Sequence, residues 1–204
     1  KWLEINGEAI YATRPYSKFY EEKDVELQRI DSCINFDWVR NSPDPAISYD
    51  NFECVWNGFI TVDKSDDYTF SVVVDDEASL CIDGKMILKY DNNKLIDNSE
   101  LTSLQSNAME GVHGNVASNT VFLEAGVAYP FQMTYKEKDV NAKVILSWSS
   151  ADFAERVVEP EVFSVDKNRT QKGLSVDYRS KQPSVCFTTK DDVLYVIVFV
   201  YPQD

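Results

Sequence analysis

Apolar and polar residues alternate through much of the middle of the chain. Tyr68, Phe70, Val72 and Val74 share one face of an extended segment while Thr69, Ser71 and Val73 share the other, and Val144, Leu146 and Trp148 repeat the pattern. A period of two predicts strands with one face on a core. Runs at 59–62, 68–74, 79–82, 120–123, 129–135 and 143–148 read as strands, and the polar clusters at 41–45, 64–67, 83–84, 91–93 and 139–141 read as turns between them. The runs at 68–74 and 79–82 read as an antiparallel pair, with the carboxylates of Asp75 and Asp76 at one end and an Asp83-Gly84 turn at the other. Six or more strands with few helical patterns among them predict an all-β fold, a sandwich or a barrel.

The two ends differ from this middle. Residues 1–16 predict a short helix, with Trp2, Leu3 and Ile5 on an apolar face, Gly7 placed to cap it and Pro15 stopping any continuation. At the other end, 185–190 and 193–201 predict a β-hairpin around Asp191-Asp192, more apolar than the other strands. Between them, Lys89 to Asn119 has no clear periodicity, and its length suggests a functional loop with a short helix near Glu100 to Gln105. The lone His113 lies in this loop and reads as a surface residue. The expected organisation is a flanking segment at 1–16, a β-sandwich at 17–166, a connector at 167–183 and flanking strands at 184–204.

Composition narrows the function classes. The chain has 204 residues and a net charge of −14, which repels phosphate backbones and anionic lipid and makes nucleic acid and membrane surfaces poor partners. Neutral ligands such as glycans, and hard cations, remain compatible. No apolar run approaches the roughly 20 residues of a membrane span. Cys33, Cys54, Cys81 and Cys186 are scattered without Cys-x-x-Cys spacing, so buried free thiols are the simplest reading and zinc is a poor fit. The start at Lys1-Trp2-Leu3, without an initiator Met, suggests a piece of a longer protein.

The middle segment resembles the anthrax protective-antigen-type (PA14) domain. The landmarks are Ile34-Asn35-Phe36-Asp37-Trp38, Asp50 to Ile60 with its Trp56-Asn57-Gly58, Tyr68-Thr69-Phe70, Asp75-Asp76 followed by Leu80 to Lys85, Val121 to Gly126, and Leu146-Ser147-Trp148. They arrive in the family's order over about 150 residues. The resemblance implies a β-sandwich module of secreted, periplasmic or cell-surface proteins. In the family's lectin members an adjacent Asp pair after the Tyr-x-Phe strand binds calcium, which binds sugar hydroxyls; here that pair is Asp75 and Asp76. The remaining family ligands come from the loop before the last Trp strand, which matches by position only and offers Asp139, Asn141 and backbone carbonyls. Calcium takes six to eight hard oxygen ligands, and neighbouring carboxylates repel unless a cation or water separates them. The alternative is that Asp75 and Asp76 only accept hydrogen bonds from a turn.

The flanks resemble a different family. Trp2 to Tyr16 is similar to the segment near the end of the catalytic barrel in α-L-fucosidases of glycoside hydrolase family 29, and Phe187 to Val198 is similar to the strands that follow it there. The resemblance implies a sandwich inserted into a retaining fucosidase, with the catalytic barrel as its partner. The family's catalytic carboxylates lie upstream of the Trp2 to Glu8 segment, so the chain is expected to be inactive alone, with Glu4 and Glu8 in structural roles. Adjacent Asp75 and Asp76 also stand too close for a glycosidase pair, whose carboxyl groups sit roughly 5 Å or more apart. The expected function is a carbohydrate-binding accessory module; the alternative is a structural insertion that shapes the active-site rim or mediates assembly.

Overall fold

A computed structural model describes residues 2–5, 8–11, 20–91, 115–190 and 193–198. The chain divides into two compact units, Glu26–Ser180 and a second unit made of Lys1–Val25 with Lys181–Asp204. In the second unit, β1 (Trp2–Ile5) pairs antiparallel with β2 (Glu8–Tyr11). The predicted N-terminal helix is therefore corrected to a strand pair. The register sets Ile5 opposite Glu8, and an Asn-Gly dipeptide between short apolar runs is a hairpin signal rather than a helix cap.

Next come β3 (Tyr20–Asp31), β4 (Asn35–Val39), β5 (Phe52–Ile60), β6 (Asp66–Asp75), β7 (Glu77–Ile82) and β8 (Lys85–Tyr90). They are followed by β9 (Asn115–Leu123), β10 (Tyr129–Glu137), β11 (Ala142–Ser150), β12 (Phe153–Val157) and, after a 3₁₀ turn at Pro160–Val162, β13 (Phe163–Ser164). Last are β14 (Leu174–Lys190) and β15 (Val193–Val198). The C-terminal hairpin forms as expected, with Val185–Lys190 against Val193–Val198. The expected connector gives way to strand from Leu174 onward, because its alternating Leu174, Val176 and Tyr178 are fully buried. The helix expected near Glu100 and the loop around His113 lie outside the described residues.

Within Glu26–Ser180 two antiparallel sheets form a sandwich. One runs β14-β5-β10-β7-β8 with β13 on the far end of β5, and the other runs β12-β11-β6-β9 with β4 also on β11. Alternation fills the space between them: Cys54, Trp56, Phe131, Met133 and Tyr135 point inward from the first sheet, and Phe70, Val72, Val74, Val144, Leu146 and Trp148 from the second. Trp38 of β4 bridges the layers, its ring 5.7 Å from Phe52 and 6.0 Å from Tyr135.

The predicted pairing of 68–74 with 79–82 is not observed. β6 pairs with β9 and β11, whereas β7 pairs with β10 and β8. Only Asp76 lies between β6 and β7, too short a link for a hairpin, and the chain uses it to step from one sheet to the other. The Asp83-Gly84 turn does form, joining β7 to β8 with φ values of 53° and 72°, the positive values that a tight two-residue hairpin requires. Gly58 answers a different need: a Cβ there would lie 2.6 Å from the Ser164 carbonyl oxygen, so its absence lets β13 close on β5.

One buried polar cluster stiffens this layer. Asp31, 7% exposed, accepts from Trp56 Nε1 at 2.9 Å, Tyr178 Oη at 2.6 Å and Arg29 Nε at 2.7 Å. Its charge is thus matched by one cation and two neutral donors, which is what keeps a carboxylate tolerable in a core. Cys33, Cys54 and Cys81 are free thiols, and burial pushes the Cys54 thiol well up.

Candidate functional site

The topology brings two loops together. β11 lies beside β6, with Lys143 opposite Asp75, and β10 lies beside β7, with Lys136 opposite Glu77. The link from β10 to β11 therefore crosses between the sheets at the same edge as the Asp75-Asp76 step. The peptide bond between Asp75 and Asp76 is cis. Asp76 is 6% exposed, and its Oδ2 accepts from the Lys138 backbone N–H at 2.8 Å. Asp50 fastens the outer part of the same loop, its Oδ1 accepting from Val140 N–H at 3.1 Å, and Asn141 N–H donates to the Asp139 carbonyl at 3.1 Å.

Beneath the loop, Glu137 continues the inward face of β10 after Phe131, Met133 and Tyr135 and is only 2% exposed. The Tyr135 hydroxyl shares its proton between the Asp75 carbonyl oxygen at 2.5 Å and Glu137 Oε2 at 2.7 Å, and accepts from Lys143 N–H at 3.1 Å. Glu137 Oε1 is buried without a hydrogen-bond partner. Burial first, and then the charges of Asp76, Asp75 and Asp50, push the Glu137 carboxyl up to about 8 against the opposing Tyr135 hydrogen bond. Burial and Glu137 together raise Tyr135 far above its ordinary range.

Of the sequence-derived candidates, Asp75 and Asp76 sit at the crossing, Asp139 is exposed on the adjacent loop, and Asn141 is half-buried where that loop enters β11. Sequence reasoning missed Glu137, Asp50 and Tyr135. The signal for Glu137 was available: strand alternation puts its carboxylate in phase with the buried aromatics. The donors at this edge are hard oxygens, and an orphaned buried carboxylate oxygen among other carboxylates suits a divalent cation. Among the described residues no three His, Cys, Asp or Glu side chains converge on one point, so such a cation would draw further ligands from backbone carbonyls and water. Positive charge stays at the periphery, where Lys138 pairs with Glu77, and Lys143 with Asp37 at 2.7 Å.

Comparisons with known proteins place this architecture. The chain is 28% identical over 179 residues to the anti-sigma-I factor RsgI3 of Acetivibrio thermocellus, covering 85% of this chain and 24% of that protein. The solved structure of an anti-sigma factor domain-containing protein from Clostridium clariflavum superimposes with a TM-score of 0.55 at 29% identity, covering 68% of this chain and 41% of that one. A second anti-sigma factor domain-containing protein gives 0.54 at 27%, covering 67% and 41%. The chain thus spans about a quarter of the curated relative's length and about two fifths of those structures. The PA14 domain model matches residues 11–161, which take in β4–β12 and the paired loops and stop short of β13 and β14, and the chain belongs to the PA14 domain family.

Proposed function

We propose that this PA14 domain is a calcium-assisted carbohydrate-binding module that serves a larger protein and performs no catalysis itself. The observation that carries the reading is Glu137 Oε1, a buried carboxylate oxygen with no hydrogen-bond partner beside the Asp75-Asp76 crossing. Asp75 and Asp76 would hold the ion, and Glu137, Asp139 and Asn141 would turn towards it on binding, because no three such carboxylates converge on one point among the described residues. When bound, calcium supplies a hard centre that takes vicinal sugar hydroxyls in place of water. Tyr135 and the Lys138 amide hold the carboxylates in position, and the exposed part of the loop around Asp139 meets the sugar.

The host proposed is a fucosidase-like glycoside hydrolase, supported by the resemblance of the segments at 2–16 and 187–198. A host related to the anti-sigma factors above would use the module the same way. In either, tethering to a polymeric glycan raises effective concentration without new chemistry. A secreted, periplasmic or cell-surface setting goes with this reading, because calcium and polymeric glycans meet there. No helix among the described residues is long and apolar enough to cross a membrane.

Calorimetry with galactose- and fucose-terminated glycans, in calcium and in chelator, tests the proposal. Binding heat is expected in calcium alone and is lost in the Asp75→Ala, Asp76→Ala double variant. Absence of binding in both conditions, or an unchanged double variant, would overturn it.

A further inference from the structure

The outer face of the larger sheet carries a second feature, unrelated to the loops. Ser175, Asn57, Gln132 and Cys81 stand opposite one another on β14, β5, β10 and β7, forming one row across four strands. Their inward neighbours, Trp56, Met133, Leu80 and Val176, are fully buried, so the row itself looks outward. At about 4.8 Å per strand it is roughly 14 Å long. Phe59 and Pro130, opposite each other two positions along, border it, and these residues line a groove of about 530 Å³.

Charge distribution on this face argues for the occupant. Four residues along the same strands the equivalent row is Arg179, Glu53, Lys136 and Glu77, ionic throughout, with Lys136 Nζ 3.4 Å from Glu53 Oε1. The groove, by contrast, has no charged residue in its lining, although 26% of the chain is charged. Neutral amides and hydroxyls are cheaper to desolvate than ions. Gln132 Nε2 donates to Asn57 Oδ1 at 2.9 Å, and an amide pair that uses one donor and one acceptor keeps an N–H donor and a carbonyl acceptor for a ligand. Sugar hydroxyls both donate and accept, and the C–H face of a pyranose packs on apolar surface such as Phe59 and Pro130.

We propose that this groove is a calcium-independent binding site for a neutral oligosaccharide longer than one ring, held by Ser175, Asn57 and Gln132. It does not depend on the loop site, so the two can fail separately.

The test is NMR of the full chain in chelator, titrated with neutral gluco-, manno-, galacto- and xylo-oligosaccharides. Saturable shifts are expected in the side-chain amides of Asn57 and Gln132 with at least one series. Asn57→Ala and Gln132→Ala should each weaken binding about five- to tenfold, while the Asp75→Ala, Asp76→Ala variant binds normally. If Gln132→Ala lowers thermal stability, Gln132→Glu keeps the shape and reads the same loss through its charge. No shift at millimolar concentration with any series, shifts that survive Asn57→Ala combined with Gln132→Ala, or shifts that track protein concentration without sugar, as a second copy in the groove would produce, would each overturn the proposal.

Discussion

The Lys138 backbone N–H donates to Asp76 Oδ2, so the residue that carries the chain from one sheet to the other also anchors the loop that makes the reverse crossing. Charge and acceptor geometry at Asp76 can be separated. Asp76→Asn keeps an oxygen for the Lys138 amide and removes a negative charge; in chelator its stability should stay within about 1 kcal/mol of the parent, whereas Asp76→Ala leaves a half-buried N–H unpaired and should cost about 1–2 kcal/mol. Both should lose any stabilisation by calcium. Urea unfolding with and without calcium reads the two effects.

Glu137→Gln should change sign with conditions. Without calcium, above about pH 8 where the Glu137 carboxyl is ionised, removing its buried charge, which faces Asp76, Asp75 and Asp50, raises the melting temperature, and the Gln carbonyl still accepts from Tyr135; near neutrality, where that carboxyl is mostly protonated, the gain is small. With calcium the same variant loses a ligand and melts below the parent. Thermal scans in chelator and in millimolar calcium measure the crossover; a variant less stable in both conditions would indicate a purely structural role.

Asp31→Ala should be among the most damaging single substitutions. It strands Trp56 Nε1 and takes the acceptor from the Tyr178 hydroxyl, while the Arg29 guanidinium keeps the Pro43 carbonyl and the Tyr178 oxygen, so the cost should be about 2–4 kcal/mol. Chemical denaturation followed by tryptophan fluorescence provides the value.

Asp166 predicts a pH dependence. The Thr170 hydroxyl and the backbone N–H groups of Gln171, Asn168 and Thr170 hold its carboxyl below the ordinary range. A depressed folded pKa contributes stability that is present above the unfolded value of about 3.9 and is lost as pH falls through the lower folded value. The stability gap between the parent and Asp166→Ala should therefore be constant near neutrality and narrow below about pH 4. Urea midpoints measured down to about pH 2 test the sign, and a gap that widens in acid would contradict it.

The all-β class and the strand positions around 68–74, 129–135 and 143–148 are legible because period-two alternation there coincides with a buried face. The N-terminal strands were not, since four-residue runs such as Trp2–Ile5 are too short for periodicity to separate helix from strand. Sheet membership was illegible for a different reason: nothing local to Ser79 to Ile82 says whether its partner is β6 or β10, and that choice is made by the single-residue link at Asp76. At the site, Asp75 and Asp76 stood out because paired charges interrupt an apolar run. Glu137 did not, because a carboxylate at a strand end looks like ordinary surface until the opposite sheet covers it.

The loop that carries Asp139 has its fixed points at Asp76, Asp50 and the start of β11, none of which lies at its exposed apex. The anchors of the loop thus lie away from the exposed side chains at its apex, and Asp76 is the one residue given both an anchoring and a proposed ligand role. On the proposed carbohydrate-binding role, the exposed side chain of Val140, which is neither an anchor nor a proposed ligand, is the position to vary for new glycan preferences on one unchanged scaffold.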